Sequence, residues 1–166
     1  MADLLVTYFE MIAPPRGAAL AAPTAGAEIN EELIDRTSYL RLYRAVGEAL
    51  HWDQRVRMLA SELQAFLESP ATRIFVLRLG KQPAGLCEFD GVGGPEVELT
   101  NFGLVKSVQG RGLGPWLLDR ALRTVWSVGP RRIWLHTDTN DHPAAQTVYQ
   151  RAGFHLYAQR IEAFPD

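Results

Sequence analysis

A glycine-rich segment at residues 109–114, with the sequence QGRGLG, most constrains the fold of this chain. It joins an extended run at residues 97–105 to a helical pattern that begins near Pro115. A glycine-rich turn that leads into a helix exposes backbone N–H groups at the positive end of the helix dipole. The segment therefore predicts a strand–turn–helix unit that binds an anionic phosphate.

Two common nucleotide-binding motifs do not fit this segment. A P-loop needs lysine and then serine or threonine after its last glycine, but Gly114 is followed by Pro115 and Trp116. A dinucleotide fingerprint needs an acidic residue about 20 positions further on, where residues 129–131 read GPR. Both motifs are excluded, and a turn that merely makes a tight corner is the structural alternative.

Patterns elsewhere predict alternating strands and helices in a single domain over residues 1–166, since about 150 residues is an ordinary domain size. Strands are expected where β-prone runs are bounded by glycine or proline, and helices where apolar residues recur at helical spacing. The expected strands are 4–12, 72–79, 84–89, 97–105, 133–137 and 154–164, and the expected helices are 39–50, 56–67, 115–128 and 142–152.

A low-complexity segment follows the first strand. Twelve of the fifteen residues from 13 to 27 are alanine, proline or glycine, a composition with little apolar surface to pack. We therefore predict a flexible loop over residues 13–30. It is either a spacer or a mobile lid over a substrate site.

Charge and cysteine content exclude several classes of protein. Seventeen Lys and Arg against nineteen Asp and Glu give a net charge of -2, so neither a nucleic-acid partner nor a membrane surface is expected. The sequence has no long apolar run or signal peptide pattern. Cys87 is the single cysteine, which excludes intrachain disulfides and favours a cytoplasmic location. No metal is expected, because His136, Asp138, Asp141 and His142 match no zinc spacing.

The pattern Gln109-x-x-Gly112-x-Gly114 resembles the Arg/Gln-x-x-Gly-x-Gly/Ala signature of the GNAT superfamily of N-acetyltransferases. Residues 149–154, YQRAGF, resemble the end of that family's last core helix, and the resemblance extends over about 72–164. It implies an α/β fold whose mixed, mostly antiparallel sheet is flanked by helices, with a cleft between splayed strands. It also implies transfer of an acetyl group from acetyl-CoA to a primary amine on an unidentified small molecule or peptide.

The resemblance also implies the residues that bind acetyl-CoA. Loop amides would hold the pyrophosphate, and the end of the long strand would pair with the pantetheine arm, with Gly103 allowing a close approach. Family members often have asparagine at the position of His142, which puts a contact there in doubt. The implied cofactor-binding residues are Phe102, Gly103, Leu104, Gln109, Gly110, Arg111, Gly112, Leu113 and Gly114.

Acyl transfer needs an acid for the departing thiolate and a base for the amine. The resemblance makes Tyr149 the candidate acid, with core packing as the alternative. Glu98 is the candidate base, directly or through water, because strict alternation places it on the strand face of Phe102 and Leu104. Glu96 and Glu88 are the alternative bases.

Three aromatic residues of the early helices, Tyr39, Tyr43 and Trp52, belong either to the core or to the acceptor pocket. A non-catalytic acyl-CoA sensor or interaction module is the alternative to the enzyme, and a homodimer is a candidate assembly.

Overall fold

The computed structural model describes residues 2–164 of the 166-residue chain. Within that range the chain forms seven strands and five α-helices, with short 3-10 turns after α1 and after β5. The elements are β1 Ala2–Met11, β2 Ala27–Glu31, α1 Arg36–Gly47, α2 Gln54–Arg57, α3 Ala60–Glu68, β3 Arg73–Leu79, β4 Gln82–Asp90, β5 Glu96–Leu104, α4 Leu113–Trp126, β6 Arg132–Asp138, α5 Ala145–Ala152 and β7 His155–Phe164.

The strands form one sheet in the order β2-β3-β4-β5-β6-β1-β7, and all neighbours are antiparallel except β5 and β6. The expected mixed, mostly antiparallel sheet is confirmed. Strand β1 lies between β6 and β7, while β2 lies at the opposite edge. The connection between β1 and β2 therefore crosses most of the width of the sheet.

Among the strands of residues 2–164, β5 and β6 are the one parallel pair, and they separate soon after they meet. β5 and β6 pair at three positions, Glu96 with Arg132, Val97 with Ile133 and Glu98 with Trp134. Beyond these pairs the rest of β5 is bonded to β4 alone, and β6 is bonded to β1 alone. The separation opens the cleft expected between splayed strands.

The two faces of the sheet have separate cores. Helices α4 and α5 pack on one face, against residues such as Phe75 and Phe89. Helices α1 and α3 pack on the other, where Ile74, Val76 and Leu86 meet the buried Tyr39. Alternating residues of β3 and β4 thus serve opposite cores, as expected for a sheet covered on both sides.

A β-bulge in β5 changes which side chains share a face. Glu88 pairs with Asn101, but the next residue of β4, Phe89, pairs with Leu99, so Thr100 is the extra residue. After the bulge, Phe102 and Leu104 lie on the α4 face together with Leu99, whereas Asn101 and Gly103 lie on the α1 face. The prediction that Glu98 shares a face with Phe102 and Leu104 is wrong, because strict alternation takes no account of the extra residue.

The alanine-rich segment is held against α4. Arg123 donates to the carbonyl oxygens of Gly17 at 3.1 Å and Ala18 at 3.2 Å, and Asp119 accepts from the Leu20 amide at 3.0 Å. The last residues of the expected loop, 27–30, instead belong to β2. None of residues 13–26 lines the cleft, and Pro23 lies against the glycine-rich segment, 3.6 Å from the position that a Cβ of Gly112 would take. That the loop is mobile and borders the acceptor site stays a prediction.

The predicted helix over residues 56–67 is two helices in the structure. Met58 and Leu59 have extended backbones, with ψ of 145° at each, and they separate α2 from α3. Arg55 of α2 is buried, whereas its neighbours at residues 53, 54, 56 and 57 line the cleft. Apolar spacing did not reveal the break, because the buried residue that defines α2 is a cation.

Replacement of Gly103 by alanine should destabilise the fold. A Cβ atom there would lie 2.6 Å from Cγ1 of Val46 in α1, and overpacking of this kind costs about 1–3 kcal/mol. Urea unfolding of Gly103→Ala should show this loss. The double variant Gly103→Ala/Val46→Ala should lose less free energy of unfolding than the two single variants lose together, because Val46→Ala removes the clashing methyl group. An unchanged midpoint for Gly103→Ala would contradict the packing.

Candidate active site

A cleft of about 1030 Å³ opens where β5 and β6 separate. The floor is the bulged part of β5, one wall is the segment from the end of α1 through α2, and the other is β6 with the loop that leads to α5. The lining residues include Tyr43, Trp52, Asp53, Leu99, Thr100, Asn101, Phe102, His136, Asp138, Asp141 and Tyr149.

The glycine-rich loop lies between β5 and the start of α4, as predicted. Gly110 and Gly112 have φ of +80° and +77°, a left-handed conformation that favours glycine. The Gln109 side chain donates to the Leu104 carbonyl at 3.2 Å, which ties the loop to the end of β5. No group in residues 2–164 accepts from the amides of residues 110–112. These free amides beside a helix N-terminus fit an anionic phosphate.

Gly103 makes its close contact with the protein. Its missing side chain leaves room for Val46, and Trp52 lies 3.4 Å from the position that a Cβ would take. Of its neighbours, Phe102 lines the cleft and Leu104 is buried in the α4 core. The resemblance implied that the missing side chain of Gly103 lets the pantetheine arm come close. On the α1 face of Gly103, that space is taken by Val46 of α1 and by Trp52.

Tyr149 projects from α5 and lines the cleft. Its ring is 7% exposed and lies about 6 Å, between ring centres, from the rings of Phe9, Phe102 and Phe154. Burial, and then the Asp141 carboxylate, raise its pKa well above the ordinary value. No hydrogen bond joins its hydroxyl to another described residue. The hydroxyl is therefore a protonated donor without a protein partner.

Glu98 lies beside the cleft, on the face of α1. Its carboxylate is 3.8 Å from Nε2 of His136, which lines the cleft. Burial raises the pKa of Glu98 above its ordinary value, although His136 acts against the shift. The alternative Glu96 is mostly exposed and lies 3.7 Å from Arg132. Of these two carboxylates, Glu98 has the environment that favours proton uptake.

The third carboxylate, Glu88, is completely buried and fully engaged. Its carboxylate accepts hydrogen bonds from the Arg55 guanidinium at 2.8 Å, from the side-chain amide of Asn101 at 2.8 Å, and from the hydroxyls of Tyr39 and Thr100. The sequence indicated Glu88 only as an alternative base and gave Arg55 no role. Their association depends on the bulge and on α2, neither of which has a local sequence signal.

The loop between β6 and α5 is organised by its own polar residues. Asp141 accepts from the Thr137 hydroxyl and from the Asp138 amide at 3.0 Å. His142 accepts from the Ala144 amide through Nδ1 at 3.0 Å. These are turn and capping contacts. They occupy Nδ1 of His142, the residue at which the sequence left a cofactor contact in doubt.

Two of the three early aromatic residues reach the cleft. Tyr43 and Trp52 line it, whereas Tyr39 is entirely within the core. The indole of Trp52 extends towards the opposite wall, with Nε1 3.5 Å from Asp141. Cys87 is fully buried, and burial raises the pKa of its thiol well above the ordinary value. Among residues 2–164, no three His, Cys, Asp or Glu side chains are grouped to hold a metal ion.

Comparison with known proteins agrees with this geometry. The model of the acetyltransferase (GNAT) family matches residues 37–154. A GCN5-related N-acetyltransferase from Sphaerobacter thermophilus is 20% identical, with a TM-score of 0.70 over 95% of this chain and 50% of that chain. An aminoglycoside acetyltransferase from an uncultured soil metagenomic sample is 15% identical, with a TM-score of 0.69 over 85% of this chain and 96% of that chain.

A tandem GNAT protein from the clavulanic acid biosynthesis pathway is 17% identical, with a TM-score of 0.71 over 97% of this chain and 53% of that chain. The chain thus spans about half the length of several structures that it matches. At these identities the likeness establishes the fold. No curated protein gives a significant sequence match. Within the described residues, no helix is both long and apolar enough to span a bilayer.

The two buried tyrosines should respond differently to loss of the hydroxyl. Tyr149→Phe should leave the free energy of unfolding within about 0.5 kcal/mol of the wild-type value, because no protein hydrogen bond is lost. Tyr39→Phe should cost about 1–3 kcal/mol, because the buried Glu88 carboxylate loses a donor. Urea unfolding measures both, and equal losses would contradict the assignment.

Proposed function

Since the chain belongs to the acetyltransferase (GNAT) family, we propose that it transfers an acetyl group from acetyl-CoA to a primary amine. The observation that carries this proposal is the position of the glycine loop. Its free amides lie at the end of β5, the strand that forms the cleft floor and leads past Tyr149. A phosphate held there directs the rest of an extended ligand along β5.

The loop and the strand would divide the binding of acetyl-CoA between them. Amides of residues 110–113 would donate hydrogen bonds to the diphosphate, with Gln109 and Arg111 shaping the turn and Gly114 packed against Phe102 and Leu104. Backbone groups of residues 102–104 would pair with the pantetheine arm, because β5 has no β6 neighbour there. Acetyl-CoA supplies the acetyl group as a thioester.

Tyr149 and Glu98 lie on opposite sides of the sheet, which suits their proposed roles. Tyr149 reaches the cleft from the α5 face and stays protonated, so it would donate to the departing thiolate. Glu98, on the α1 face, would take the proton of the amine, directly or through water. The amine would thus enter the cleft from the side of α1 and α2, opposite the face on which α4 packs.

The walls of the cleft suit a cationic acceptor. Five acidic residues line it, against two arginines and two histidines. The acidic residues are Glu48, Asp53, Asp138, Asp141 and Glu162. An ammonium group is therefore attracted to the cleft before it loses its proton. The similar metagenomic structure is an aminoglycoside acetyltransferase in its own right, and it makes small polyamines and amino sugars the first acceptors to test.

A screen of amines with acetyl-CoA tests the proposal, with released thiol and acceptor mass measured together. The proposal expects both signals from the same acceptor. Binding of acetyl-CoA without transfer to any amine would favour the acyl-CoA sensor instead.

Sedimentation of the same samples tests the homodimer, for which β7 offers an unpaired sheet edge with Ile161 76% exposed. A cytoplasmic location stays a prediction.

Gly112→Asp should abolish binding of acetyl-CoA. The change adds a negative charge where the diphosphate would bind, at a residue with φ of +77°. Gly129→Asp is the matched control, because Gly129 also has positive φ, at +96°, and lies beyond the opposite end of α4. Calorimetric titration should show loss of affinity for Gly112→Asp alone. Equal affinities in the two variants would remove the loop from the site.

Tyr149→Phe should lower kcat by about 10²–10⁴-fold, the range for loss of a positioned general acid. The dissociation constant of acetyl-CoA should remain close to the wild-type value, because the loop is unchanged. Steady-state kinetics and calorimetry separate the two effects. A variant that turns over at the wild-type rate would make Tyr149 a packing residue.

Glu98 should determine the acid limb of the pH profile. The base acts as a carboxylate, so kcat/KM should fall as the pH falls through the pKa of Glu98, which burial places above its ordinary value. Glu98→Gln should remove this limb and lower kcat/KM by about 100-fold. Glu96→Gln, at the exposed neighbouring carboxylate, should keep it. Loss of the limb in Glu96→Gln instead would transfer the role of base to Glu96.

A further inference from the structure

We propose that Glu88 is a positioning residue for acyl transfer, which fixes the β5 bulge and helix α2 relative to each other at the cleft. The proposal rests on the proposed function, since it concerns how the same cleft is aligned. Glu88 itself does not line the cleft. Its effect is therefore transmitted through the residues that it holds.

The contacts of Glu88 connect three elements at one buried point. Tyr39 comes from α1, Arg55 from α2, and Thr100 and Asn101 from β5. Each element therefore places at least one donor on the same carboxylate. Four donors occupy the acceptor positions of the two oxygens, and Glu88 has no exposed surface. The carboxylate is therefore excluded as the base that meets the amine.

On the side of β5, Glu88 fixes the irregular part of the strand. A bulge disrupts the ladder and leaves the extra residue unpaired. Thr100 and Asn101, the two residues at the bulge, both line the cleft and both donate to Glu88. Thr100 also donates to the Glu88 carbonyl at 3.1 Å. These hydrogen bonds take the place of the ladder bonds that the bulge removes, and they fix the path of β5 along the cleft floor.

On the side of α2, Glu88 holds a helix of four residues through Arg55, whose backbone amide also donates to the Tyr43 hydroxyl of α1 at 3.4 Å. Arg55 is 7% exposed, its guanidinium lies 4.0 Å above the Phe66 ring, and its Nε atom has no partner. Burial opposes the charge of Arg55, but the Glu88 carboxylate and Tyr39 together raise the pKa of Arg55 above its ordinary value. The neighbours of Arg55 at residues 53, 54, 56 and 57 line the cleft.

One buried charge pair thus aligns the floor on which the thioester would lie with the wall from which the amine would enter. The glycine loop follows the C-terminal end of β5, beyond the bulge, and no hydrogen bond or ion pair joins its described residues to Glu88. Loss of the network should therefore lower kcat and leave the affinity for acetyl-CoA nearly unchanged, because small misplacements of reacting groups are costly.

Thr100→Val and Thr72→Val form the first test, because each removes one threonine hydroxyl and only Thr100 donates to Glu88. The Thr72 hydroxyl is buried without a partner among the described residues, and Thr72 does not line the cleft. Thr100→Val should lower kcat by about 10-fold, with a change below about 2-fold in the dissociation constant of acetyl-CoA. Thr72→Val should keep kcat per folded molecule within about 2-fold of wild type. Equal kcat values in the two variants would overturn the proposal.

A direct contact between Thr100 and the substrate would give the same single-variant result, and a double-mutant cycle distinguishes it. If Thr100 acts through Glu88, the kcat losses of Thr100→Val and Glu88→Gln should be less than multiplicative when combined. Fully multiplicative losses would overturn the proposal.

Glu88→Gln/Arg55→Met separates positioning from stability and replaces Glu88→Gln if that variant does not fold. The single change leaves a buried cation without its counter-charge, whereas the double change removes both charges. The double variant should regain thermal stability, but its kcat should stay low because α2 and the bulge are no longer joined. Recovery of wild-type kcat together with stability would show that the pair is only structural.

Hydrogen exchange keeps this test separate from the proposed function. If the wild-type protein binds acetyl-CoA but acetylates no amine, the proposed function fails, and exchange still reports on Glu88. Glu88→Gln/Arg55→Met should speed amide exchange at residues 99–102 and in α2 relative to Tyr39→Phe. Unchanged exchange at both places would overturn the proposal without any measurement of turnover.

Discussion

The partial pairing of β5 with β6 is the constraint on which the rest of the structure depends. Three ladder pairs join the strands, and the bulge at Thr100 then follows on the β4 side of β5. A continuous ladder would have filled the space that is now the cleft. Because β5 remains bonded to β4, one side of the strand is paired while the other offers unpaired backbone groups to a ligand.

The strand, glycine loop and helix at residues 96–126 could be predicted from the sequence because their signals are local. Glycines at positive φ, apolar spacing and the motif all lie within one short stretch. Only the resemblance to the family singled out Tyr149 as the candidate acid. Spacing alone does not separate this tyrosine from a core aromatic, because its ring is packed among three phenylalanines.

The features that the sequence did not predict depend on distant contacts. The bulge in β5 appears only in the register with β4, and it reverses the face of Phe102 and Leu104 relative to Glu98. Strand β2 follows an alanine-rich segment and acquires its structure by pairing with β3 at the sheet edge. The position of β1 between β6 and β7 has no local signal at all, since strand order is set by tertiary contacts.

Pairs of identical residue types show how the surroundings separate structure from chemistry. Tyr39 and Tyr149 are both buried and both have raised pKa values. Tyr39 donates to Glu88, whereas Tyr149 lines the cleft and its hydroxyl has no partner among the described residues. Glu88 is filled by four donors, whereas Glu98 has one histidine at 3.8 Å. A saturated polar group can only hold its partners in place. Tyr149 and Glu98 are left with unused hydrogen-bonding capacity on opposite faces of the sheet, and for that reason we propose these two groups as the ones that exchange protons with the thiolate and the amine.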